Sequence, residues 1–156
     1  MVDPPRQQPS VQPPHGPATV AEVMQPPLTT ADANDHIAAA AYLMKHAGAS
    51  ALLVLDARTG QPAGIITEGD VAHAVADGKD VNSVRIHDLM TARPTVISAA
   101  TNVREAAEIM TTGHFRHLPV LGEDGVAGMV DISDVCRALL DPGFSRVPGD
   151  ATAPPA

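Results

Sequence analysis

One pattern occurs twice in the chain, and this internal repeat restricts the fold more than any other feature of the sequence. Residues 64–71 read GIITEGDV, and residues 128–135 read GMVDISDV. Ahead of each copy, apolar residues recur at positions i, i+3, i+4 and i+7, the spacing of one face of an amphipathic helix. They are Ile37, Ala40, Ala41 and Met44 in the first unit and Val103, Ala106, Ala107 and Met110 in the second, 66 positions later. The repeat predicts two copies of one supersecondary unit.

Each unit reads as a short strand, a helix, a strand, a tight turn, a strand and a final helix. The central strands are predicted at 51–56 and 117–122, and the final helices at about 69–77 and 132–140. The turn is two residues longer in the first unit, a difference that a hairpin connection tolerates. A unit of about 60 residues cannot cover its own sheet well. We therefore expect an α+β (α/β-like) fold, with two tandem β-α-β-β-α repeats packed sheet to sheet in pseudo-two-fold symmetry.

Polar residues ahead of the two long helices are candidate helix caps. Asn34 or Asp35 is expected to cap the first helix, and Thr101 or Asn102 the second. Side chains of this kind accept a hydrogen bond from an unpaired backbone N–H in the first helical turn. Their positions therefore predict where the two helices begin.

Proline-rich stretches at both ends mark the limits of the folded part. The first 18 residues contain six prolines, and proline fixes φ and lacks a backbone N–H donor. We expect disordered tails at 1–18 and 142–156. The first repeat is placed at 19–81 and the second at 82–141.

Charge and composition exclude several classes of protein. The net charge is −8, so the surface would repel a nucleic-acid backbone. Cys136 is the single cysteine, which rules out an internal disulfide and a CxxC metal site. No apolar run reaches the roughly 18–20 residues that span a bilayer, and the N-terminal residues lack the apolar region of a signal peptide. We expect a soluble, cytoplasmic protein that binds neither nucleic acid nor membrane.

Motifs for catalysis and metal binding are not found in the sequence. It contains no Walker A, GxSxG, GxGxxG or HExxH pattern. His114 and His117 have no third ligand at a spacing suited to a metal. Ser133 and Asp134 lack an evident base and are better explained as a helix start. We therefore expect neither an enzyme nor a metal site.

In the order and spacing of its elements, the chain resembles the CBS-domain family (named for cystathionine β-synthase) in its tandem form, the Bateman module. The resemblance covers about 19–141. It rests on the openings at 20–24 and 86–90, the LPV strand at 118–120, and the Gly–apolar–apolar–Thr–x–x–Asp element at 64–70. The family implies clefts between the repeats, adenosine nucleotides as ligands, less often S-adenosylmethionine or dinucleotides such as NAD, and homodimers.

Thr67 and Asp70 have two interpretations. They form the pattern of a capping box, with Thr67 as N-cap and Asp70 three residues later. They also suit a ribose, because a carboxylate accepts from both vicinal hydroxyls while a threonine hydroxyl donates or accepts beside it. Gly64 and Gly69 would leave the approach open. The resemblance implies the ribose role, which a cap at a cleft edge does not exclude.

The second copy departs from this pattern. Asp131 stands where the first copy has Thr67, while Asp134 keeps the second acidic position. Two carboxylates at a helix start are favoured by the helix dipole, but they repel phosphate and offer no hydroxyl. We expect one good ribose site and one weak or empty site.

A phosphate group would need cations, and only the second repeat has basic residues just before its central strand. His114, Arg116 and His117 precede the second central strand, where the first repeat has neutral residues. In the family, basic residues here reach the phosphates of a nucleotide whose ribose is held by the other repeat. The resemblance thus implies a composite site of Thr67 and Asp70 with Arg116 and His117, in which the planar guanidinium suits phosphate. The alternative is a solvated basic strand edge.

The resemblance also supplies candidates for an adenine slot. They are Leu28 and Thr29 in the first linker, Pro94 and Thr95 in the second, and Leu53 or Pro119 behind them. We expect a regulatory module that binds AMP, ADP or ATP as a ligand sensor and forms a homodimer, with a protein partner not yet identified. Two alternatives are a structural or partner-docking protein without a small ligand, and a nucleotide hydrolase, for which the sequence offers no nucleophile–base pair.

Overall fold

The computed structural model describes residues 18–26, 30–141 and 143–146. Its helices are α1 Val20–Val23, α2 Ile37–Ala47, α3 Glu68–Ala76, α4 Val103–Gly113 and α5 Ile132–Leu140, with a 3₁₀ turn at Ile86–Asp88. Its strands are β1 Thr30–Ala31, β2 Ala51–Leu55, β3 Pro62–Thr67, β4 Thr91–Ala92, β5 Ile97–Ser98, β6 His117–Gly122 and β7 Gly125–Asp131. Within the described ranges, no helix has the length and apolar character needed to cross a membrane.

The strands form two sheets with matching topology. The first sheet has the order β1-β2-β3-β4 and the second β5-β6-β7. In each sheet the first pair is parallel and the following hairpin is antiparallel. The predicted α+β fold of two β-α-β-β-α repeats is confirmed. An apolar cluster of Ala51, Leu53, Ile65 and Met129 contains residues of both sheets, as sheet-to-sheet packing requires.

The segment that opens the first repeat packs on the second. Val20 and Val23 of α1 are fully buried in the same core cluster as residues of α4 and α5. The backbone N–H of Val20 donates to the carbonyl of Thr101 at 2.8 Å, and that of Gln25 to Met129 at 2.8 Å. These contacts place residues 18–25 on the second unit, although they precede the first in sequence.

The segment that opens the second repeat makes the reciprocal exchange. Ile86 is buried in the core of the first unit, and its N–H donates to the carbonyl of Asp35 at 2.8 Å. Farther along, β4 completes the first sheet by pairing with β3, with Thr91 opposite Ile65. Because each opening segment supplies apolar and hydrogen-bonding groups to the other unit, neither unit is complete alone.

The exchange also changes how the first long helix is capped. The expectation that Asn34 or Asp35 caps α2 is wrong, since the N-cap residue is His36 and its side chain makes no capping bond. The first N–H groups of α2 donate instead to the carbonyls of Val84 (3.0 Å) and Val81 (3.1 Å). These partners come from the distant opening segment, so local sequence does not reveal them. Asn102 does cap α4, as expected, by accepting from the N–H of Arg104 at 2.8 Å.

The glycine of the repeated motif provides room for the crossing segment. A Cβ atom at Gly64 would overlap the Sδ atom of Met90, and one at Gly128 would overlap the carbonyl oxygen of Gln25. The expectation that Gly64 opens the approach to a ligand is therefore corrected: its open face is filled by the polypeptide itself. Each glycine faces the equivalent pair of residues in a crossing segment, Met90 and Thr91 for Gly64 and Met24 and Gln25 for Gly128.

We predict that Gly128→Ala lowers the free energy of unfolding by about 2 kcal/mol or more, since the new methyl group meets a backbone atom and forces a shift. Gly69→Ala is the matched control. A Cβ atom there lies 3.5 Å from Thr67 Oγ1, an ordinary contact, and alanine favours helix, so this variant should be neutral or slightly more stable. Urea unfolding of both variants tests the prediction, and equal stabilities would contradict it.

Candidate ligand-binding site

A cavity of about 360 Å³ lies between the two repeats and is lined by residues of both. Of the predicted site residues, Thr67, Asp70, Thr95, Arg116 and His117 line it, and Pro94 lies beside them. The sequence separates these residues by up to 50 positions, and the pairing of the two units brings them together. The residues of the composite arrangement expected from the sequence thus line one cavity, and their role in ligand binding stays a prediction.

Thr67 and Asp70 form the capping box of α3. Thr67 Oγ1 accepts from the N–H of Asp70 at 3.2 Å and donates its own proton to Asp70 Oδ2 at 2.7 Å. The N–H of Thr67 donates to the same Oδ2 atom at 2.8 Å. No hydrogen bond to Asp70 Oδ1 forms within the described part of the chain, so one carboxylate oxygen stays available at the cavity. The capping and ligand interpretations are therefore compatible.

Arg116 enters the cavity from the second repeat, next to the start of β6. Its backbone carbonyl accepts from the N–H of Ile132 at 2.9 Å, just as the carbonyl of Ser50 accepts from Glu68 at 3.0 Å in the first repeat. These matching bonds show that Ser50 and Arg116 occupy equivalent positions. The Arg116 side chain forms no ion pair with any described residue, so it is the permanent cation available at this cavity.

His117 is held by two neighbours and lies between two cavities. Its Nε2 atom is 2.9 Å from Asp131 Oδ2 and 2.8 Å from Ser50 Oγ, and its side chain is 11% exposed. The contact with a carboxylate assigns the proton to Nε2, with Ser50 Oγ accepting from the same N–H. The expectation that His117 binds phosphate is corrected to this extent: its Nε2 donor is already engaged.

Ser50, His117 and Asp131 do not form a catalytic triad. In a triad the serine and the carboxylate bind opposite nitrogens of the imidazole, so that one accepts the serine proton while the other is oriented. Here both contact Nε2. The group is therefore a structural hydrogen-bond network.

Asp131 is stabilised as a carboxylate at the start of α5. It accepts from the N–H and the hydroxyl of Ser133, at 2.7 and 2.5 Å, and from His117. Burial alone would raise the pKa of Asp131, but the hydrogen bonds from His117 and Ser133 outweigh it and hold the pKa well below its usual value. Together with Ser133, Asp131 borders a second, smaller cavity of about 200 Å³.

Comparison with known proteins now identifies the repeats. The model of the CBS domain matches residues 20–77 and again 86–141. The chain belongs to the CBS-domain family. The two matches coincide with the two repeats of the sequence, so the resemblance expected from the motifs is confirmed.

Similar proteins occur in different organisms. An uncharacterised 17.7 kDa protein of Acidianus ambivalens is 38% identical over 109 residues, which cover 69% of this chain and 65% of that protein. The structure of a putative signal-transduction protein with CBS domains from Burkholderia ambifaria is 30% identical, with a TM-score of 0.68, covering 77% of this chain and 88% of that one. CBSX2, solved in complex with AMP, is 26% identical, with a TM-score of 0.63, covering 78% and 96%.

Several predicted residues of the CBS repeats lie away from the larger cavity. Asp134 is 1% exposed and bonds to Arg146 and Gln25, so it is not available to a ribose. Pro119 is buried within β6, paired with Met129, and does not line the cavity. Leu28 and Thr29 fall outside the described residues. Leu53, the other residue expected behind the adenine, belongs to the cluster between the sheets.

Other lining residues were missed by sequence reasoning. Glu68 and Phe115 both line the larger cavity. Glu68 stands at a position that differs between the two copies of the motif, and Phe115 lies between basic residues that drew attention to phosphate binding. His114, which also lines it, has φ +55° where the equivalent Gly48 has φ +62°. A residue with a Cβ atom is strained there. Gly48 ends α2 in the same left-handed conformation, so the glycine in the first repeat was the sequence signal that α4 ends at the equivalent residue, His114.

We predict that Asp131→Asn lowers the free energy of unfolding by about 1 kcal/mol at pH 7, a value reduced for partial exposure. Asparagine keeps the cap through its oxygen atom, and its NH2 group replaces the oxygen that accepts from His117, so the variant removes the charge together with that hydrogen bond. Because the folded-state pKa is lowered, the charge stabilises fully above the unfolded-state value near 3.8 and progressively less as the pH falls below it. Urea unfolding at pH 7 and pH 3 should show the difference shrinking, while exposed Asp124→Asn shows little at either pH. A difference independent of pH would contradict this.

We predict that His114→Gly raises the free energy of unfolding by about 1 kcal/mol, because glycine adopts the left-handed conformation without steric cost. Gly48→Ala, the reverse change at the equivalent position of the first repeat, should lower it by a similar amount. Thermal unfolding of both variants measures the effect. A destabilised His114→Gly protein would mean that the imidazole makes compensating contacts.

Proposed function

We propose that this CBS pair is a regulatory module that binds an adenine nucleotide in the cavity between its repeats. The observation that carries the proposal is the joint placement of Asp70 from the first repeat and Arg116 from the second in one cavity. A nucleotide needs both an acceptor for the ribose hydroxyls and a cation for the phosphate. The AMP complex of the related CBSX2 supports this ligand class.

Each residue has a distinct role in the proposed complex. The Oδ1 atom of Asp70 accepts from the ribose hydroxyls, while its Oδ2 atom keeps α3 capped. The guanidinium of Arg116 binds the phosphate with two donors. Ile65, Pro94 and Leu118, which line the same cavity, provide the apolar surface for adenine. The site holds a ligand without a nucleophile–base pair, so the proposed role is binding and not catalysis.

A ligand in this position would contact both repeats at once. It would favour whichever relative arrangement of the repeats suits its ribose and phosphate together, and it shifts the population only by its difference in affinity between arrangements. Sensing follows if a partner protein distinguishes those arrangements. The homodimer and the cytoplasmic location expected from the sequence stay predictions.

The choice of nucleotide is tested by thermal unfolding with AMP, ADP, ATP, S-adenosylmethionine and NAD. A ligand at a hundredfold excess over its Kd stabilises the native state by about 2.7 kcal/mol. A shift with at least one of them is expected. If none shifts the midpoint, the proposal fails and the partner-docking alternative is favoured. Product formation from ATP with Mg²⁺ would instead indicate an enzyme.

We predict that Asp70→Asn and Arg116→Gln each weaken AMP binding by roughly 10- to 100-fold, as expected for loss of a hydrogen bond to a charged group. The matched controls are Asp77→Asn, at the other end of α3, and Arg104→Gln, on the exposed side of α4. Calorimetric titration measures Kd, and circular dichroism checks the cap of α3. Unchanged AMP affinity in Asp70→Asn would disprove the ribose contact. Unchanged AMP affinity in Arg116→Gln would disprove the phosphate contact.

A further inference from the structure

Asp134 is the buried charged residue of the described structure, with 1% of its surface exposed. Asp134 occupies the same position in the second copy of the motif, GMVDISDV, as Asp70 does in the first copy, GIITEGDV. Asp70 is partly exposed and lines the larger cavity. Two equivalent carboxylates therefore have opposite surroundings.

The difference comes from the residues that bind each carboxylate. Arg146 Nη2 donates to Asp134 Oδ1 at 2.7 Å, and Gln25 Nε2 donates to Asp134 Oδ2 at 3.2 Å. Both oxygens of Asp134 are thus engaged, whereas Asp70 keeps Oδ1 unbonded within the described residues. Gln25 also lines the smaller cavity with Asp131 and Ser133, whereas Asp134, to which Gln25 is bonded, does not line it.

Arg146 is delivered by a segment that the sequence assigns to the C-terminal tail. Its N–H donates to the carbonyl of Glu22 at 2.7 Å. Phe144 packs against the core of the second repeat, and the guanidinium of Arg137 lies 5.2 Å from the centre of the Phe144 ring. These contacts fix residues 143–146 across α1 and α5, so the arginine is held in place by its own segment.

The Arg146 guanidinium gives Asp134 one charge-assisted hydrogen bond, and Gln25 engages the other carboxylate oxygen. A buried carboxylate without such donors would be strongly destabilising. We propose that Arg146 withdraws Asp134 from the second ligand position of the module, so that one nucleotide binds per chain, at Asp70, and not two. This inference rests on the proposed ribose role of Asp70.

The test is the number of adenosine molecules bound per chain at saturation, measured by equilibrium dialysis with labelled adenosine. Adenosine is the probe because it carries no phosphate for Asp131 to repel. Full-length wild type should bind one. Arg146→Met, which keeps the aliphatic stem but removes the guanidinium, should bind two. Should this variant fail to fold, Arg146→Leu, which is apolar and offers no donor to Asp134, carries the same expectation.

Two control variants separate position from charge. Arg137→Met removes an arginine that contacts the same segment but not Asp134, and it should bind one adenosine. Arg146→Lys restores a cation and should also bind one. If loosening of the C-terminal segment were the cause, Arg137→Met would also bind two adenosine molecules per chain. That result would overturn the specific role of Arg146.

The outcomes distinguish this inference from the proposed function. One adenosine in both wild type and Arg146→Met overturns the role of Arg146 and leaves the nucleotide site standing. None in wild type but one in Arg146→Met supports the role of Arg146 and overturns the site at Asp70. None in either protein, or two in wild type, overturns the inference.

Discussion

The exchange of opening segments between the two repeats is the constraint on which the rest of the structure depends. Carbonyl groups of the segment before each repeat complete the long helix of the other, from Val84 to α2 and from Ala18 to α4. Backbone groups buried at a helix start must find partners, and here the partners are supplied in trans between the two units. The glycines at 64 and 128 are the local counterpart of this exchange: a Cβ atom at Gly128 would meet the backbone of the crossing chain, and one at Gly64 would meet the side chain of Met90.

The exchange fixes the relative position of the repeats, and the cavity follows from it. With the sheets in contact through Leu53, Ile65 and Met129, the first turn of α3 lies at the same opening as the residues before β6. The duplicated scaffold then permits different residues at equivalent positions. Ser50 and Arg116 share one backbone environment, yet only the second carries a charge. Pseudo-symmetric folding thus produces an asymmetric site.

Much of this was predictable from the sequence, and the failures have a common physical cause. The repeat, the long helices and the capping box at Thr67 and Asp70 depend on contacts a few residues apart, which local patterns reveal. The wrong expectations for Asn34, Asp35 and Gly64 concern positions whose partners lie far along the chain. Arg146 was missed for the same reason: nothing in its proline-rich surroundings indicates a buried carboxylate 12 residues earlier.

The second copy of the motif shows that the availability of oxygen atoms, more than the motif itself, determines whether a carboxylate can bind a ligand. In the first copy the threonine supplies both a donor and an acceptor, so the cap consumes only one oxygen of Asp70. With Asp131 in place of the threonine, the cap lacks the side-chain hydroxyl that donates to the second carboxylate. Asp131 and Asp134 therefore each accept hydrogen bonds from other residues. His117 and Ser133 supply them to Asp131, and Arg146 and Gln25 supply them to Asp134. The aspartate at the threonine position of the motif thus occurs together with the network around His117 and with the bond from the C-terminal segment to Asp134.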